Sequence, residues 1–315
     1  MTRYVLRRLI GMIPTLLVLL FIVVSLVRLL PGNVVDILLA DGRATAETKA
    51  QLANKLGLDQ SLPEAYIRYV GGVIRGDLGS SLWTDVPVTH MIMSRAPVTA
   101  EVAGIAIIVS ILISIPLGVT SAVRQDSFLD YTLRSVSIAG ISLPSFVAAQ
   151  AIVVLPALWW SKSIPFQYKT FAEDPMQHLL IILPASFVLG LRLSATIARM
   201  MRTTMLDVLQ QDYMRTARAK GLTNFGIIVK HGLKNALIPV VTLLGLQFAA
   251  LVGGSVITES MFALPGIGRL LLDAITRRDY PVIQGVVVSV GILVMATNLL
   301  VDLSYGYLDP RIRYS

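Results

Sequence analysis

Val102-Ala-Gly-Ile-Ala-Ile-Ile-Val-Ser-Ile-Leu-Ile-Ser-Ile-Pro-Leu-Gly-Val-Thr-Ser-Ala-Val123 contains no Asp, Glu, Lys, Arg or His. A helix needs about 20 mostly apolar residues to cross the roughly 30 Å hydrocarbon layer of a bilayer, and this run is long enough. On either side lie others of the same kind: Leu9–Val27, Ser135–Ser161 (interrupted by Pro144 and Pro156), Asn235–Thr258 and Tyr280–Val301. Pro175–Leu191 is shorter and carries His178 and Pro184. It continues through Arg192, Arg199 and Arg202, which share roughly one helical face. It therefore reads as a span whose cytoplasmic end emerges as a basic helical stalk. The expectation is an all-α polytopic membrane protein with six transmembrane helices.

Composition agrees. Of the 315 residues 55% are hydrophobic and 15% charged, against about 25% charged in ordinary globular chains. Mean hydropathy is +0.72. The net charge of +8 is bunched between long neutral runs. A nucleic-acid binder needs its cations on one continuous wet surface, so that class is excluded, as is a disordered chain. With no Cys there is neither a disulfide framework nor a thiolate site.

Lys and Arg in the short loops set the orientation. With the N-terminus inside, the cytoplasmic pieces are 1–8, 124–134, 192–234 and 302–315, and they hold most of the basic residues. The short outer loops, 162–174 and 259–279, carry Lys162, Lys169, Arg269, Arg277 and Arg278. Both termini are then cytoplasmic. The chain divides into an N-terminal segment with the first span (1–30), an extracytoplasmic segment (31–99) and a five-helix core (100–315) with a cytoplasmic loop at 192–234. Residues 1–30 also have the basic start of a signal peptide. Their apolar run exceeds the usual 7–15-residue core and no small-residue cleavage site follows at once, which favours an uncleaved span.

No ionisable residue lies deep in the five clear runs. Carriers driven by protons or ions generally bury one there as a relay, so the driving energy is expected from outside the bilayer. Neutral polar residues are present, and Ser142, Ser145, Gln150, Gln247, Ser255, Gln284 and Asn298 are the candidates for lining a polar path. Hydrogen bonding between helices is the other reading of each. Ala106, Ser110, Ser114 and Gly118, and again Gly245, Ala249 and Gly253, recur at every fourth position, a spacing that lets backbones approach closely.

The loop at 192–234 contains Asp212-Tyr-Met-Arg-Thr-Ala-Arg-Ala-Lys-Gly221-Leu-Thr-Asn-Phe-Gly. Arg215, Arg218 and Lys220 crowd the end of a helix, where cations oppose the negative pole. Gly221 suits a left-handed stop, and Thr223 or Asn224 can cap a new helix. The pattern predicts helix, sharp break, short helix, membrane, with Ala217 and Ala219 facing outward so that a partner surface can come close. A solvated basic loop held near anionic lipid fits the same residues.

In this stretch the chain resembles the permease subunits of binding-protein-dependent ABC importers of the dipeptide/oligopeptide class. The likeness also rests on Leu56-Gly-Leu-Asp59, Gly76-Asp-Leu-Gly79-Ser-Ser, Asn235-Ala-Leu-Ile-Pro239, Phe262-Ala-Leu-Pro-Gly-Ile-Gly268-Arg-Leu, Arg278-Asp-Tyr-Pro281, Asn298-Leu-Leu-Val-Asp302 and Asp309-Pro-Arg-Ile-Arg313. The text around the loop is most similar to permeases for small peptides, glutathione included. The resemblance implies a type I importer architecture in the cytoplasmic membrane of a bacterium or archaeon. It implies a second homologous permease, two ATPase subunits and an extracytoplasmic solute-binding protein as partners, with no nucleic acid. It makes Arg215–Gly221 this branch's form of the EAA loop, with Arg215, Thr216, Ala217, Arg218, Ala219, Lys220, Gly221, Leu222 and Phe225 as the ATPase-coupling residues. Ala217, Gly221 and Leu233 fit the general pattern; Arg215 stands for its Glu, Thr216 for its first Ala, His231 for its Ile and Lys234 for its Pro.

The sequence has no Gly-x4-Gly-Lys-Ser/Thr, so no phosphate-cradling loop is recognisable. ATP and magnesium are expected in the partner subunits, with no cofactor in this chain. His90, His178 and His231 are far apart, read as isolated surface or interfacial residues, and imply no metal. No nucleophile–base pair appears, so the chain is not expected to be an enzyme. In the outer segment, Thr48–Leu56 and Pro63–Ile74 show helical spacing, and by the family likeness this segment faces the binding protein. Leu264-Pro-Gly-Ile-Gly268 and Arg277-Arg-Asp-Tyr-Pro281 read first as turn chemistry and second as gating or docking loops. The functional alternatives are a stand-alone channel or secondary carrier, and a membrane scaffold without flux. The solute itself is not legible in these residues.

Overall fold

The computed structural model describes residues 2–29, 60–161, 164, 165 and 167–308. The expectations for Thr48–Leu56, Leu56–Asp59 and Asp309–Arg313 lie outside the described residues. The rest is helical apart from short connections. In chain order the helices are α1 (Thr2–Leu29), α2 (Leu62–Ile74), α3 (Val88–Val123), α4 (Phe128–Ser142), α5 (Ser145–Trp160), α6 (Pro175–Leu209), α7 (Asp212–Ala219), α8 (Lys234–Gly254), α9 (Val256–Met261), α10 (Ile267–Arg277) and α11 (Tyr280–Leu308). A turn at Asn224–Gly226 and a π-helical stretch, Ile227–Leu233, lead from α7 into α8.

Among the described residues, five helices are long and apolar enough to cross a membrane, and six crossings result if α4 and α5 count as one broken span. The pair is bent by 93°. The run Ser135–Ser161, read as interrupted at Pro144 and Pro156, breaks at Leu143–Pro144 into two helices, and Pro156 lies inside the second without ending it. A residue before proline is pushed from helical into extended geometry, and Leu143 adopts φ −77°, ψ 117°. The weak fourth run is one unbroken helix, α6, that carries Arg192, Arg199 and Arg202 beyond the apolar part, as its arginine spacing suggested. The fifth run ends at Gly254 instead of Thr258, with Ser255 leading into α9.

The chain forms two compact units. One contains residues 1–97 and 269–296, the other 98–268 and 297–315. In the first unit, Ser61 and Glu64 box the start of α2, the Glu64 carboxylate accepting from the Ser61 amide at 2.9 Å. The stripe Tyr66, Tyr69, Val70 and Val73 packs on Leu20 and Val23 of α1 and Val288 of α11. The Tyr66 hydroxyl donates to the Leu17 carbonyl at 3.0 Å.

In the second unit the core gathers on α6. Ile181, Ile182, Ala185, Val188, Leu189, Ile197, Met201 and Met205 are buried with Val102 and Ala106 of α3 and Ala236 and Val240 of α8. The stripe of small residues on α3 has its reason here. A Cβ at Gly118 would lie 2.7 Å from the Ala198 carbonyl oxygen and 2.6 Å from Met201 Cβ, so only glycine allows this approach to α6. At the outer end of α6, Asp174 caps the helix by accepting from the Gln177 amide at 3.1 Å. That hydrogen bond, with Lys169 beside it, holds its carboxyl below the usual range.

Candidate functional site

The cytoplasmic connection after α6 is built around a short anchored helix. Asp212 to Ala219 give two turns, with Met214 and Ala217 one turn apart on one face. Both are buried against Ile227, with Val208 and Leu209 at the edge. The expectation that Ala217 faces outward is therefore corrected: its side chain locks α7 to its own chain, and Ala219 is exposed. The helix ends as its sequence suggests. Gly221 has φ +75°, its amide donates to the Arg218 carbonyl at 2.9 Å, and the Leu222 amide reaches the Ala217 carbonyl at 3.4 Å. This is a Schellman closure, which satisfies the last carbonyls through a left-handed residue.

Thr223 then caps the next turn, its hydroxyl accepting from the Gly226 amide at 3.3 Å. The π-helical stretch that follows widens each turn, a form that recurs at functional sites. Asn235 donates to the Tyr213 hydroxyl at 3.0 Å, tying α7 to the start of α8. With Met214, Ala217 and Ile227 turned inward, Arg215, Thr216, Arg218, Lys220, Leu222 and Phe225 are left exposed. Phe225 is 76% and Leu222 46% exposed, so a charged loop presents two apolar side chains to its surroundings.

A second constellation involves the loop after α9. Glu259 is fully buried. Thr99 and Ser255 both donate to its Oε1 at 2.8 Å, and the Ile267 amide donates to Thr99 Oγ1 at 2.8 Å. The carboxylate lies under Gly266, where a Cβ would come within 2.3 Å of Oε2, and Gly268, where it would come within 2.9 Å. Neither glycine has positive φ. Residues 264–266 form a loop bent at Gly266, as the turn reading expects, and the glycines in addition make room for a carboxylate. Ser255, a path candidate, is corrected, being buried as that carboxylate's partner.

The other path candidates are spread along the chain. Ser142, Gln150 and Asn298 are exposed, and Ser145 and Gln247 half-buried. Ser142 donates to the Ile138 carbonyl at 3.0 Å. In the first unit, Gln284 donates to the Val23 carbonyl at 3.3 Å and so bridges α11 and α1. His178 is not a surface residue. It is buried, with Nε2 2.8 Å from Glu101 Oε1 and Nδ1 3.0 Å from the Lys169 carbonyl.

The family described as "Binding-protein-dependent transport system inner membrane component" matches residues 114–314, and its N-terminal companion matches residues 1–103. The chain belongs to this family. It is 38% identical, over 100% of its length and 99% of the relative's, to the dipeptide transport system permease protein DppB of Escherichia coli (strain K12). It is 40% identical, over 100% of both chains, to the glutathione transport system permease protein GsiC of Salmonella paratyphi A. Among solved structures, the methionine ABC transporter MetNI in an inward-facing conformation is similar in fold, with a TM-score of 0.58 and 19% identity. That match covers 70% of this chain and 96% of the other. The protein is thus a multi-pass permease subunit of an ABC importer in the inner membrane. It is not itself an enzyme, and it works with separate ATPase subunits and a binding protein.

Proposed function

We propose that this subunit forms half of the gate for short peptides or a related small solute such as glutathione, paired with a second, homologous permease above two ATPase subunits. The names of the relatives support the solute class, since DppB serves dipeptide and GsiC glutathione transport. ATP and magnesium bind in the ATPase partners, and this chain holds no cofactor of its own. The segment from Arg215 to Phe225 receives the motion of an ATPase subunit. One observation carries that assignment: α7 is pinned from within by Met214 and Ala217, while Leu222 and Phe225 stay exposed on a charged loop. A rigid, anchored element with an apolar tip transmits a push, and burying such side chains rewards docking in a partner's groove.

The test is a cysteine at Phe225 in the assembled importer, paired with cysteines on the ATPase surface. Cross-linking whose yield changes between ATP-bound and nucleotide-free particles is expected. A Phe225 position that stays water-accessible and uncross-linked in every nucleotide state would overturn the coupling assignment. Uptake assays in vesicles with the binding protein, comparing dipeptides and glutathione with unrelated solutes, test the substrate class. Uptake by the lone chain driven by an ion gradient would overturn the ATP-driven reading.

A further inference from the structure

In the second unit a crevice of about 190 Å³ opens between α3, α4 and α6. Arg134, Arg199 and Arg202 contribute to its wall, and no carboxylate does. Arg202 is already committed, closing both arms on buried Asp130 behind the crevice. Arg134 and Arg199 are exposed, and among the described residues neither forms an ion pair. Arg134 stacks over the Tyr131 ring at 5.7 Å. Two cations face one opening with nothing negative opposite them.

Ser121, Ser137 and Thr203 also line it, and the rest of the wall is an apolar stripe with a direction. Ile138 and Ile141 follow Arg134 by four and seven residues on α4, one stripe of the helix, and are 59% and 40% exposed. Ala195 precedes Arg199 by four residues on α6. The Lys/Arg distribution puts the start of α4 and the end of α6 on the cytoplasmic side. From both arginines the apolar stripe therefore runs toward the bilayer centre. Depth agrees: at about 1.5 Å per residue, Arg199 lies roughly 36 Å along α6 from Pro175, beyond one hydrocarbon thickness. Phe128 and Tyr131, exposed beside Arg134, are aromatics of the kind that settle at that boundary.

We propose that this crevice binds an anionic phospholipid of the cytoplasmic leaflet, with Arg134 and Arg199 on its phosphate and an acyl chain along Ile138 and Ile141. Basic pockets between helices on the cytoplasmic side recognise such headgroups, and each cation near the membrane surface contributes attraction that a zwitterionic lipid does not return. The site is separate from the coupling loop, and its occupancy does not depend on which solute is carried. By bridging α4 and α6, a bound lipid braces the broken span against the stalk that leads to α7.

The experiment is native mass spectrometry of the whole importer, purified in detergent and titrated with phosphatidylglycerol, phosphatidylcholine or glycerol phosphate. Phosphatidylglycerol is expected to bind tightly and phosphatidylcholine weakly. The double substitution Arg134→Gln/Arg199→Gln should weaken phosphatidylglycerol about thirty-fold and leave phosphatidylcholine unchanged, the worth of two such charges. Equal retention of phosphatidylglycerol by both proteins would overturn the proposal. Glycerol phosphate binding as tightly as the lipid would overturn it in favour of a free anion. A cysteine at Ser137 that cross-links to another subunit in the lipid-bound membrane would overturn it in favour of a protein occupant. Should the double variant fail to assemble, Ile138→Glu decides, since it keeps every arginine and places a carboxylate in the acyl path. Unchanged lipid retention in that variant would sink the assignment too.

Discussion

Arg202 grips Asp130 with two parallel hydrogen bonds, Nε to Oδ1 at 2.9 Å and Nη2 to Oδ2 at 2.7 Å, across 72 residues of sequence. Asp130 has no solvent exposure; Ser121 and the Asp126 amide take up its remaining lone pairs. The pair fastens α4 to α6 at the foot of the broken span. A forked pair of this kind fixes orientation as well as distance, which a lysine could not do.

Removing one partner should therefore hurt more than removing both. Arg202→Met strands a buried carboxylate and is expected to cost about 3–5 kcal/mol. Asp130→Asn with Arg202→Met together should cost clearly less than the sum of the two single changes. Thermal unfolding of the purified complex, read as a double-mutant cycle, checks this; additive losses would show that the pair acts independently.

How far this was legible in the sequence depends on the range of the forces involved. Spans, the basic stalk at Arg192, Arg199 and Arg202, and the stop at Gly221 are local features, fixed by runs of apolar residues, helical spacing and one residue's φ. The direction of Ala217 was misread because α7 has only two turns, too few for periodicity to say which face is inward before Ile227 is in place. At the start of α4 the Asp130 amide donates to Ser127 Oγ at 3.2 Å, a local N-cap signature. Nothing in that signature announced Arg202. The buried Glu259 was equally silent, because its partner Thr99 comes from a distant segment, 160 residues away.

Glu259 and Gly266 should be energetically coupled. Gly266→Ala drives a methyl to 2.3 Å from the carboxylate, and overpacking of that sort costs about 1–3 kcal/mol. Glu259→Ala vacates the space. The double variant should be less destabilised than the two single losses predict, and a cycle on thermal stability would reveal the sign. Full additivity would mean that the loop shifts away freely.

Ser81 and Asp279 join two motifs that the sequence keeps 198 residues apart. Ser81 Oγ donates to Asp279 Oδ2 at 2.5 Å, and the Leu82 amide donates to Oδ1 at 3.1 Å. The Trp83 indole donates to the Arg277 carbonyl at 3.0 Å. Asp279→Ala leaves the Ser81 hydroxyl and the Leu82 amide without this acceptor, while the Trp83 indole keeps the Arg277 carbonyl, and should cost about 1–3 kcal/mol. In a background with Trp159 and Trp160 changed to Phe, the loss should appear as altered Trp83 emission. An unchanged spectrum would mean that the indole is held by other contacts.

Gly221 separates conformational strain from contact. No heavy atom lies within 4 Å of a Cβ built there, yet φ is +75°. Any penalty for a side chain must then come from the backbone. A β-branched residue pays most for a left-handed conformation, about 1–2 kcal/mol, whereas Asn visits it readily. Gly221→Val should therefore loosen the break between α7 and Thr223 and lower uptake per ATP hydrolysed in vesicles. Gly221→Asn should stay close to the parent. If Val and Asn behave alike, the left-handed turn is not what matters, and the coupling assigned to this segment must rest on its exposed side chains alone.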